Sequence, residues 1–408
     1  MKKYPAYRDS GIKWIGKIPE HWDTVKLKRL TQFLYGDSLS NENRIEGEVP
    51  VYGSNGITGY HNKAISNAPC IVIGRKGSFG KINYSEVLCF PIDTTYFIDN
   101  TATNNDIRWL YFALQTLNLD SISKDSAVPG LSREDAYDRI TLSPPPCEQQ
   151  SIADYLDKKT ALIDSLVEKK KRQIELLKEQ RQAVINQAVT KGLDPTVEMK
   201  DSGIEWLGEI PKHWEMIKVK YLFNLITQQA PINNDFELLS LYTDIGVKPR
   251  KELEARGNKA STTDEYWMVK KGDIIVNKLL AWMGAIGHSD YDGVTSPAYD
   301  ILRKKTDLNS KFYHYLFRCG LYLTEFKRRS RGIMDMRLRL YFDELGQILV
   351  VYPPSSEQDK IVEYINRLNT DTDLTILKAE KQIDLLQEYR TALISEAVTG
   401  KIDVRETV

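Results

Sequence analysis

The chain's 408 residues carry 56 Lys and Arg against 56 Asp and Glu, with 41% hydrophobic and 27% charged residues; this is the make-up of a soluble globular protein of two to three domains. Its four cysteines, Cys70, Cys89, Cys147 and Cys319, have no CxxC spacing and no neighbouring histidine, which excludes the usual zinc signatures and a dense disulfide framework. No apolar run reaches about 18 residues and the N-terminal MKKYPAYRDSG lacks an apolar centre, so a cytoplasmic protein without signal peptide or membrane span is expected.

The first distinctive stretch, DSGIKWIGKIPEHW (Asp9–Trp22), is written again as DSGIEWLGEIPKHW (Asp201–Trp214), 192 positions later, and the two hold four of the seven tryptophans. A period this long marks duplicated domains, not a solenoid of short units. The four tryptophans are expected in the core, and His21 and His213 are expected to pack or cap rather than bind a ligand.

A variable block follows, Leu30 to Leu142. Short β-rich runs, CIVIG (Cys70–Gly74) and TTYFI (Thr94–Ile98), alternate with polar turns before a helix candidate, DIRWLYFALQTL (Asp106–Leu117). Two loops carry candidate chemistry. VYGSNGITGYHNK (Val51–Lys63) is rich in Gly, Asn, Ser and Tyr, and IGRKGSFGKINY (Ile73–Tyr84) sets Arg75, Lys76 and Lys81 among three glycines after a strand. The second is not a P-loop: five residues, not four, separate Gly74 from Gly80, and Ile82 stands where a metal-binding Ser or Thr is needed.

Next comes a long segment, Pro144 to Asp194. Apolar residues fall at Ile152, Leu156, Ile163, Leu166, Ile174, Leu177, Val184 and Ala188, and Pro and Gly are absent from Ser151 to Lys191. This spacing predicts a long helix with an apolar seam, ended near Gly192. The basic run Lys169–Arg172 is expected on its solvated face. Asp164, Glu168 and Lys170 spell D-x3-E-x-K, but a helix is the wrong place for a nuclease centre.

After the second tryptophan stretch a second block runs from Leu222 to Val351. It contains the strand candidate GDIIV (Gly272–Val276), the loops VNKLLAWMGAIG (Val276–Gly287) and SPAY (Ser296–Tyr299), and a helix candidate, LNSKFYHYLFRCGL (Leu308–Leu321). FKRRSRGIMDMRLRL (Phe326–Leu340) sets Lys327, Arg328, Arg329, Arg331, Arg337 and Arg339 against one Asp. A second long segment, Pro353 to Asp403, repeats the first without a gap: Ile152, Tyr155, Asp164, Gln173, Ile174, Leu177, Arg181, Ile185, Ala188 and Val189 recur 209 positions later. Its seam falls at Ile361, Ile365, Leu368, Ile376, Ile383, Leu386, Leu393 and Ala397, with Gly400 past its end. NRLNTDTDLTILK (Asn366–Lys378) is too polar for a seam and is expected to mark an irregularity or a partner contact. Offsets of 192 in front and 209 behind make the second block 17 residues longer. The frame is kept while its contents differ, as in a scaffold carrying two specificities.

The fold class is therefore α+β: two α/β domains separated by two long antiparallel coiled-coil helices in a pseudo-two-fold repeat. About 40 helical residues make a rod of about 60 Å, and the other copy is the nearest stripe for each rod to pack on. The variable blocks would then lie at opposite ends. Basic residues beside Gly, Ser, Asn and Tyr suit loops that track phosphates and read base edges. No HExxH or GxSxG motif occurs, and the chain reads as non-catalytic.

These features resemble the specificity (S) subunit of a type I restriction-modification system. The resemblance rests on the paired tryptophan stretches, on SPPPCEQQSIADYLD and VYPPSSEQDKIVEYI leading into the long helices, and on GRKGSFG, NKLLAWMGA, SPAY and AVPGLSREDAYDRITL (Ala127–Leu142). It implies a target recognition domain with its frame over 1–146, a spacer helix over 147–192, a second recognition domain over 193–355 and a second spacer helix over 356–402. Each recognition domain would read one half of a bipartite, asymmetric double-stranded DNA target. The rod would keep the half-site centres within roughly one and a half DNA turns. Two modification subunits that bind S-adenosylmethionine and methylate adenine would dock on the chain. Two restriction subunits using ATP and Mg would complete the nuclease, and this chain itself would hold no cofactor or metal. The DNA-binding positions implied are Ser54, Asn55, Arg75, Lys76, Ser78 and Lys81 in the first block. In the second they are Asn277, Lys278, Trp282, Tyr299, Arg331, Arg337 and Arg339. A coiled-coil adaptor without DNA recognition, and an enzyme on nucleic acid with a dispersed active site, remain the rival classes.

Overall fold

The computed structural model describes residues 2–121, 130–243, 245–252, 263–333 and 337–406; parts of two stretches named above, 127–129 and 334–336, lie outside the described residues. The chain divides into two compact units: unit 1 is Met1–Lys171 with Ala379–Val408, and unit 2 is Arg172–Lys378. Each unit thus combines one variable block with part of both long helices, Pro146–Lys191 and Ser355–Val398.

Unit 1 begins with the tryptophan frame folded as a strand pair, Tyr7–Asp9 against Lys17–Pro19. Its block is built on a four-stranded antiparallel sheet in the spatial order Leu34–Tyr35, Thr95–Ile98, Cys70–Gly74, Ile82–Ser85. Every residue of Cys70–Gly74 is buried, as the continuous apolar run predicts for a central strand. A second sheet orders Gly56–His61, Val49–Gly53 and Phe90–Pro91. The helix Ile107–Gln115 is capped by Asp106, whose carboxylate accepts from Trp109 N at 2.7 Å. It drives Trp109, Leu110 and Phe112 into a core shared with Trp22, Ile71 and Ile73 and with both long helices through Ile152, Leu156, Ile163, Leu393 and Ala397.

Unit 2 repeats this plan. Met199–Asp201 pairs with Glu209–Pro211, and a four-stranded antiparallel sheet follows in the order Phe223–Ile226, Tyr299–Lys304, Ile274–Asn277, Ile286–His288. The helix Ser310–Phe317 is capped by Asn309, which accepts from Lys311 N at 2.9 Å. The two units part in what is added to the shared sheet. Unit 2 has the pairs Leu239–Tyr242 with Gly246–Pro249 and Trp267–Val269 with Gly293–Thr295 where unit 1 has its three-stranded sheet.

The repeated words anchor each long helix at its start. Glu148 and Glu357 both sit in the third residue after the prolines that open the helices, where a carboxylate complements the helix N-terminus. Glu148 takes the Trp22 indole N–H at 3.0 Å and His21 Nε2 at 2.6 Å; Glu357 takes Trp214 at 3.1 Å and His213 at 2.8 Å. The following glutamines each do two jobs. Gln149 accepts from Asp106 N and donates to Pro144 O, and Gln358 accepts from Asn309 N and donates to Pro353 O. One Glu-Gln pair therefore ties frame, long helix and block helix together, and the expected packing-and-capping role of the histidines is what the geometry gives them. Trp22 and Trp214 are core, but Trp14 is exposed and Trp206 is half-buried, edge-on to Tyr322 at 5.1 Å.

The helices leave each unit on left-handed glycines. Gly192 has φ +77° and Gly400 has φ +70°; a Cβ on Gly400 would come within 2.4 Å of Pro19 and 2.9 Å of Trp22. Within each unit the helix segments run antiparallel. In unit 1 Arg390 Nε donates to Asp164 at 2.9 Å, and in unit 2 Arg181 Nη1 donates to Asp373 at 2.6 Å. Because Asp164 and Arg181 recur as Asp373 and Arg390, these are the same ion pair made twice. The seam differs from expectation in detail: Val167 and Ile185 are buried where Leu166 and Val184 were predicted, and Leu166 is exposed. No irregularity marks Asn366–Lys378, which is helical throughout. Its polar residues are used inside unit 2: Asn366 and Asn369 hold the Tyr315 hydroxyl, Thr370 and Thr375 bond back to carbonyls four residues earlier, and Asp373 takes Arg181. The basic run stays on the solvated face, with Lys171 paired to Glu168 and Arg172 to Glu175.

Candidate nucleic-acid interface

In unit 1 the two loops meet. The hairpin of Val49–Gly53 and Gly56–His61 turns at Ser54 and Asn55. Lys81 Nζ donates to Asn55 Oδ1 at 2.7 Å and to its carbonyl at 3.1 Å, so the tip is strapped to the glycine-rich loop. Gly74 is required at the crossing, because a Cβ there would lie 2.2 Å from Ser78 O and 3.1 Å from Ser54. Ser54 itself is buried and donates to Thr94 O at 2.7 Å, which makes it a support for the tip. Lys76 and Ser78 are exposed, and the Lys76 backbone is held by Thr94 and bridges to Gly130.

Arg75 leads into a group that the sequence reading missed. Its guanidinium lies over Tyr35 at 5.4 Å and Tyr96 at 5.9 Å while Nη2 donates to Asp93 O at 2.9 Å. Arg133 lies over the same Tyr35 at 5.1 Å and over Tyr137 at 6.0 Å. Tyr35 is 50% exposed, so an aromatic face and two guanidinium groups reach solvent side by side. Burial and the neighbouring Tyr35 push the Tyr96 hydroxyl up to about 12, so it stays a neutral hydrogen-bond donor, to Leu131 O. The 97 residues between Tyr35 and Arg133 hid this juxtaposition.

In unit 2 the predicted positions divide. Asn277 is buried and caps its own turn by accepting from Leu279 N at 3.0 Å. Lys278 forms an inward pair with Asp300 at 3.0 Å; burial raises the Asp300 carboxyl and the Lys278 bond opposes that rise. Trp282 is half-buried with Lys327 Nζ over its ring at 4.8 Å, and Tyr299 packs against a small apolar cluster. The Arg-rich stretch is less basic in space than in sequence. Glu325, just before it, takes Arg328 at 2.6 Å and Arg329 at 2.9 Å, and Arg331 is held by Asp343 and Glu344 from just beyond it. Arg337 and Arg339 are exposed and have no carboxylate partner among the described residues, with the Arg331 and Arg339 backbones bridged to shape the loop. Asn277 and Lys278 thus spend polar groups on contacts within the unit, while Arg337 and Arg339 face solvent.

Among the described residues no group of His, Cys, Asp and Glu could hold a metal ion, and no helix is long and apolar enough to cross a membrane.

Residues 19–176 match the family model described as "Type I restriction modification DNA specificity domain". The chain is 22% identical over 414 residues to the "Type I restriction enzyme EcoDI specificity subunit" of Escherichia coli, covering 95% of this chain and 90% of that protein. In fold it is similar to a chain solved for the "structural basis underlying complex assembly and conformational transition of the type I R-M system", at 12% identity, 94% coverage of this chain and 99% of that one, with a TM-score of 0.65. It is also similar to the "HsdS subunit from Thermoanaerobacter tengcongensis", at 16% identity, 98% and 100% coverage, with a TM-score of 0.52. Two α+β units with two long helices are thus a fold shared with S subunits. Over residues 19–176 the chain matches the type I restriction modification DNA specificity domain, and over nearly its whole length it is similar to type I restriction enzyme specificity subunits.

Proposed function

We propose that this chain is a non-catalytic reader of a bipartite, asymmetric duplex DNA target, one half read by each unit. The first reader is 1–146 and the second 193–355, and the helices 147–192 and 356–402 set the spacing between the halves. Two modification subunits would dock on it to methylate adenine with S-adenosylmethionine. Two restriction subunits using ATP and Mg would join them in the cytoplasm. The observation that carries this reading is the four-stranded sheet repeated in one order in both units, each bearing different added strands and its own cations: exposed Lys76 with half-buried Arg75 and Arg133 in unit 1, exposed Arg337 and Arg339 in unit 2. One scaffold with two different edges is what an asymmetric target requires, and Arg beside Tyr, Asn and Ser supplies both phosphate contacts and base-edge donors.

Mapping adenine methylation across the source genome with and without the gene tests this directly. Deletion should erase one gapped, asymmetric motif, and exchanging Leu30–Leu142 for another member's block should rewrite one half of it while sparing the other. Unchanged methylation, or both halves changing together, would sink the two-reader proposal.

A further inference from the structure

Unit 1 has a second basic surface, which reaches beyond the glycine-rich loop. A cleft of about 560 Å³ opens beside the short helices Leu27–Arg29 and Arg133–Tyr137, and its charged lining residues are Lys28, Arg29 and Arg133, with no acidic residue among those that line it. Lys28 and Arg29 are exposed and, like Arg133, have no carboxylate partner among the described residues. Nearby Lys26 does have one, Asp138 at 2.6 Å, so the cleft cations have been left unneutralised beside a cation that has not. Most of the remaining lining is polar and includes Gln32, Thr101 and Asn104. Its floor is held by the block's own hydrogen bonds, Thr103 Oγ1 to Leu30 O at 2.7 Å and Gln32 N to Ala102 O at 2.9 Å.

The cleft is continuous with the interface described above. Arg133 belongs to both: it lines the cleft and stacks on Tyr35, whose other neighbour is Arg75 of the glycine-rich loop. Three cations without a carboxylate partner among the described residues, with amide and hydroxyl donors between them in a trough far larger than a single ion, match a length of sugar–phosphate backbone. The equivalent place in unit 2 is chemically different. At the frame offset of 192, Lys28 and Arg29 become Lys220 and Tyr221, and Lys220 Nζ reaches Gln347 at 3.4 Å.

We propose that the Lys28–Arg29–Arg133 cleft is a DNA-backbone clamp of unit 1, tracking phosphates next to the bases that the Arg75 loop reads. This rests on the DNA-reading proposal and adds a division of labour to it: the cleft supplies affinity without sequence information, and unit 2 lacks its counterpart.

The test uses the full chain assembled with its modification subunits and two labelled duplexes, one carrying the motif found by methylation mapping and one with both halves scrambled. Salt titrations are run for Lys28→Gln, Arg29→Gln, Arg133→Gln and the triple variant. Each single change should lower the log–log salt slope by about 0.9, and the triple by about 2.7. Affinity should fall by a similar factor on both duplexes, and Lys28→Gln and Arg29→Gln should leave the methylated motif unchanged. A graded, additive slope is not what misfolding would give. Unaltered slopes, a loss confined to the specific duplex, or failure to retain the modification subunits with slopes intact would each overturn the clamp, the last by marking a protein-docking surface instead. A wild-type assembly that binds neither duplex would remove the DNA-reading proposal itself, an outcome distinct from any of these.

Discussion

The two units share a frame and differ in how tightly it is closed. In unit 1 Glu148 is buried and receives four groups: Trp22, His21, the Tyr4 hydroxyl at 3.1 Å and, at 3.9 Å, Arg405. In unit 2 Glu357 has Trp214 and His213 as its only side-chain donors among the described residues and is partly exposed. The cause lies in chain connectivity. Unit 2 runs directly from Gly192 into its frame at Met199, whereas in unit 1 the end of the chain folds back on the start, with Asp403 N donating to Lys2 O at 2.9 Å and Arg405 lying over Tyr4 at 4.8 Å. Arg405 also holds the Asp403 carboxyl below its usual range. The same frame is thus held by more groups in unit 1 than in unit 2.

The largest expected effect follows from that difference. Glu148→Ala strands buried Trp and Tyr donors together and should cost about 3 kcal/mol, while Glu357→Ala should cost about 1–2 kcal/mol, since water can reach what it leaves behind. Urea denaturation with hydrogen exchange resolved by unit would measure both. Equal losses would mean that the terminal segment adds nothing to the closure of unit 1.

How much of this was legible beforehand divides along the same line. The frame, the long helices, the strands at Cys70–Gly74 and Ile274–Asn277 and both block helices follow from repetition and periodicity, which are local signals. What those signals cannot carry is which distant residue answers a charge. The Glu148 partners lie more than a hundred positions away, and the Arg75–Tyr35–Arg133 ladder spans three separated segments. The Arg-rich stretch read as the sharpest basic patch because the window Phe326–Leu340 excluded Glu325, Asp343 and Glu344, the acids that neutralise it. Asn277 and Lys278 looked available because a loop after a strand is exposed in sequence terms, yet one caps its own turn and the other pairs inward. Leu166 was placed in the seam and Val167 occupies it, a one-residue error that an average spacing of 3.5 to 3.6 allows.

A second contrast is one of pH. Burial, reinforced by the Arg318 cation, pushes the His314 imidazole down to about 3, and burial also lowers His288, whose backbone N–H bonds His314 Nδ1 at 3.2 Å; Asp290 and Lys311 flank the pair. Counted from the caps Asp106 and Asn309, the unit 1 counterpart of His314 is Tyr111. The folded histidine is neutral while the unfolded one gains a proton below about 6.5, so the unfolded state binds more protons and stability falls as pH falls from about 6.5 toward 3. Unit 2 should lose up to about 1.4 kcal/mol per pH unit from this group, and His314→Gln should flatten that dependence without touching unit 1. Urea midpoints of unit 2 between pH 7.5 and 5 decide it; identical slopes in wild type and variant would mean that His314 is solvated and titrates normally.

The smallest effect is the best test of how faithfully the frame was copied. Asp164–Arg390 and Arg181–Asp373 are the same two residues meeting twice, and in each pair the arginine is about a quarter exposed and the aspartate more than half exposed. Water and salt screen such pairs, so a double-mutant cycle to alanine should give about 0.5 kcal/mol of coupling in each unit. Their larger consequence is register. Aspartate to arginine at 164 alone sets two cations together across the antiparallel helices, and adding Arg390→Asp should restore stability to within about 0.5 kcal/mol of wild type. Two cycles that agree would place the difference between the units in the terminal closure at Glu148 and in the buried histidines. Two cycles that disagree would put part of it in the helix pair itself, where Arg390 meets Asp164 through Nε and Nη2 and Arg181 meets Asp373 through Nη1.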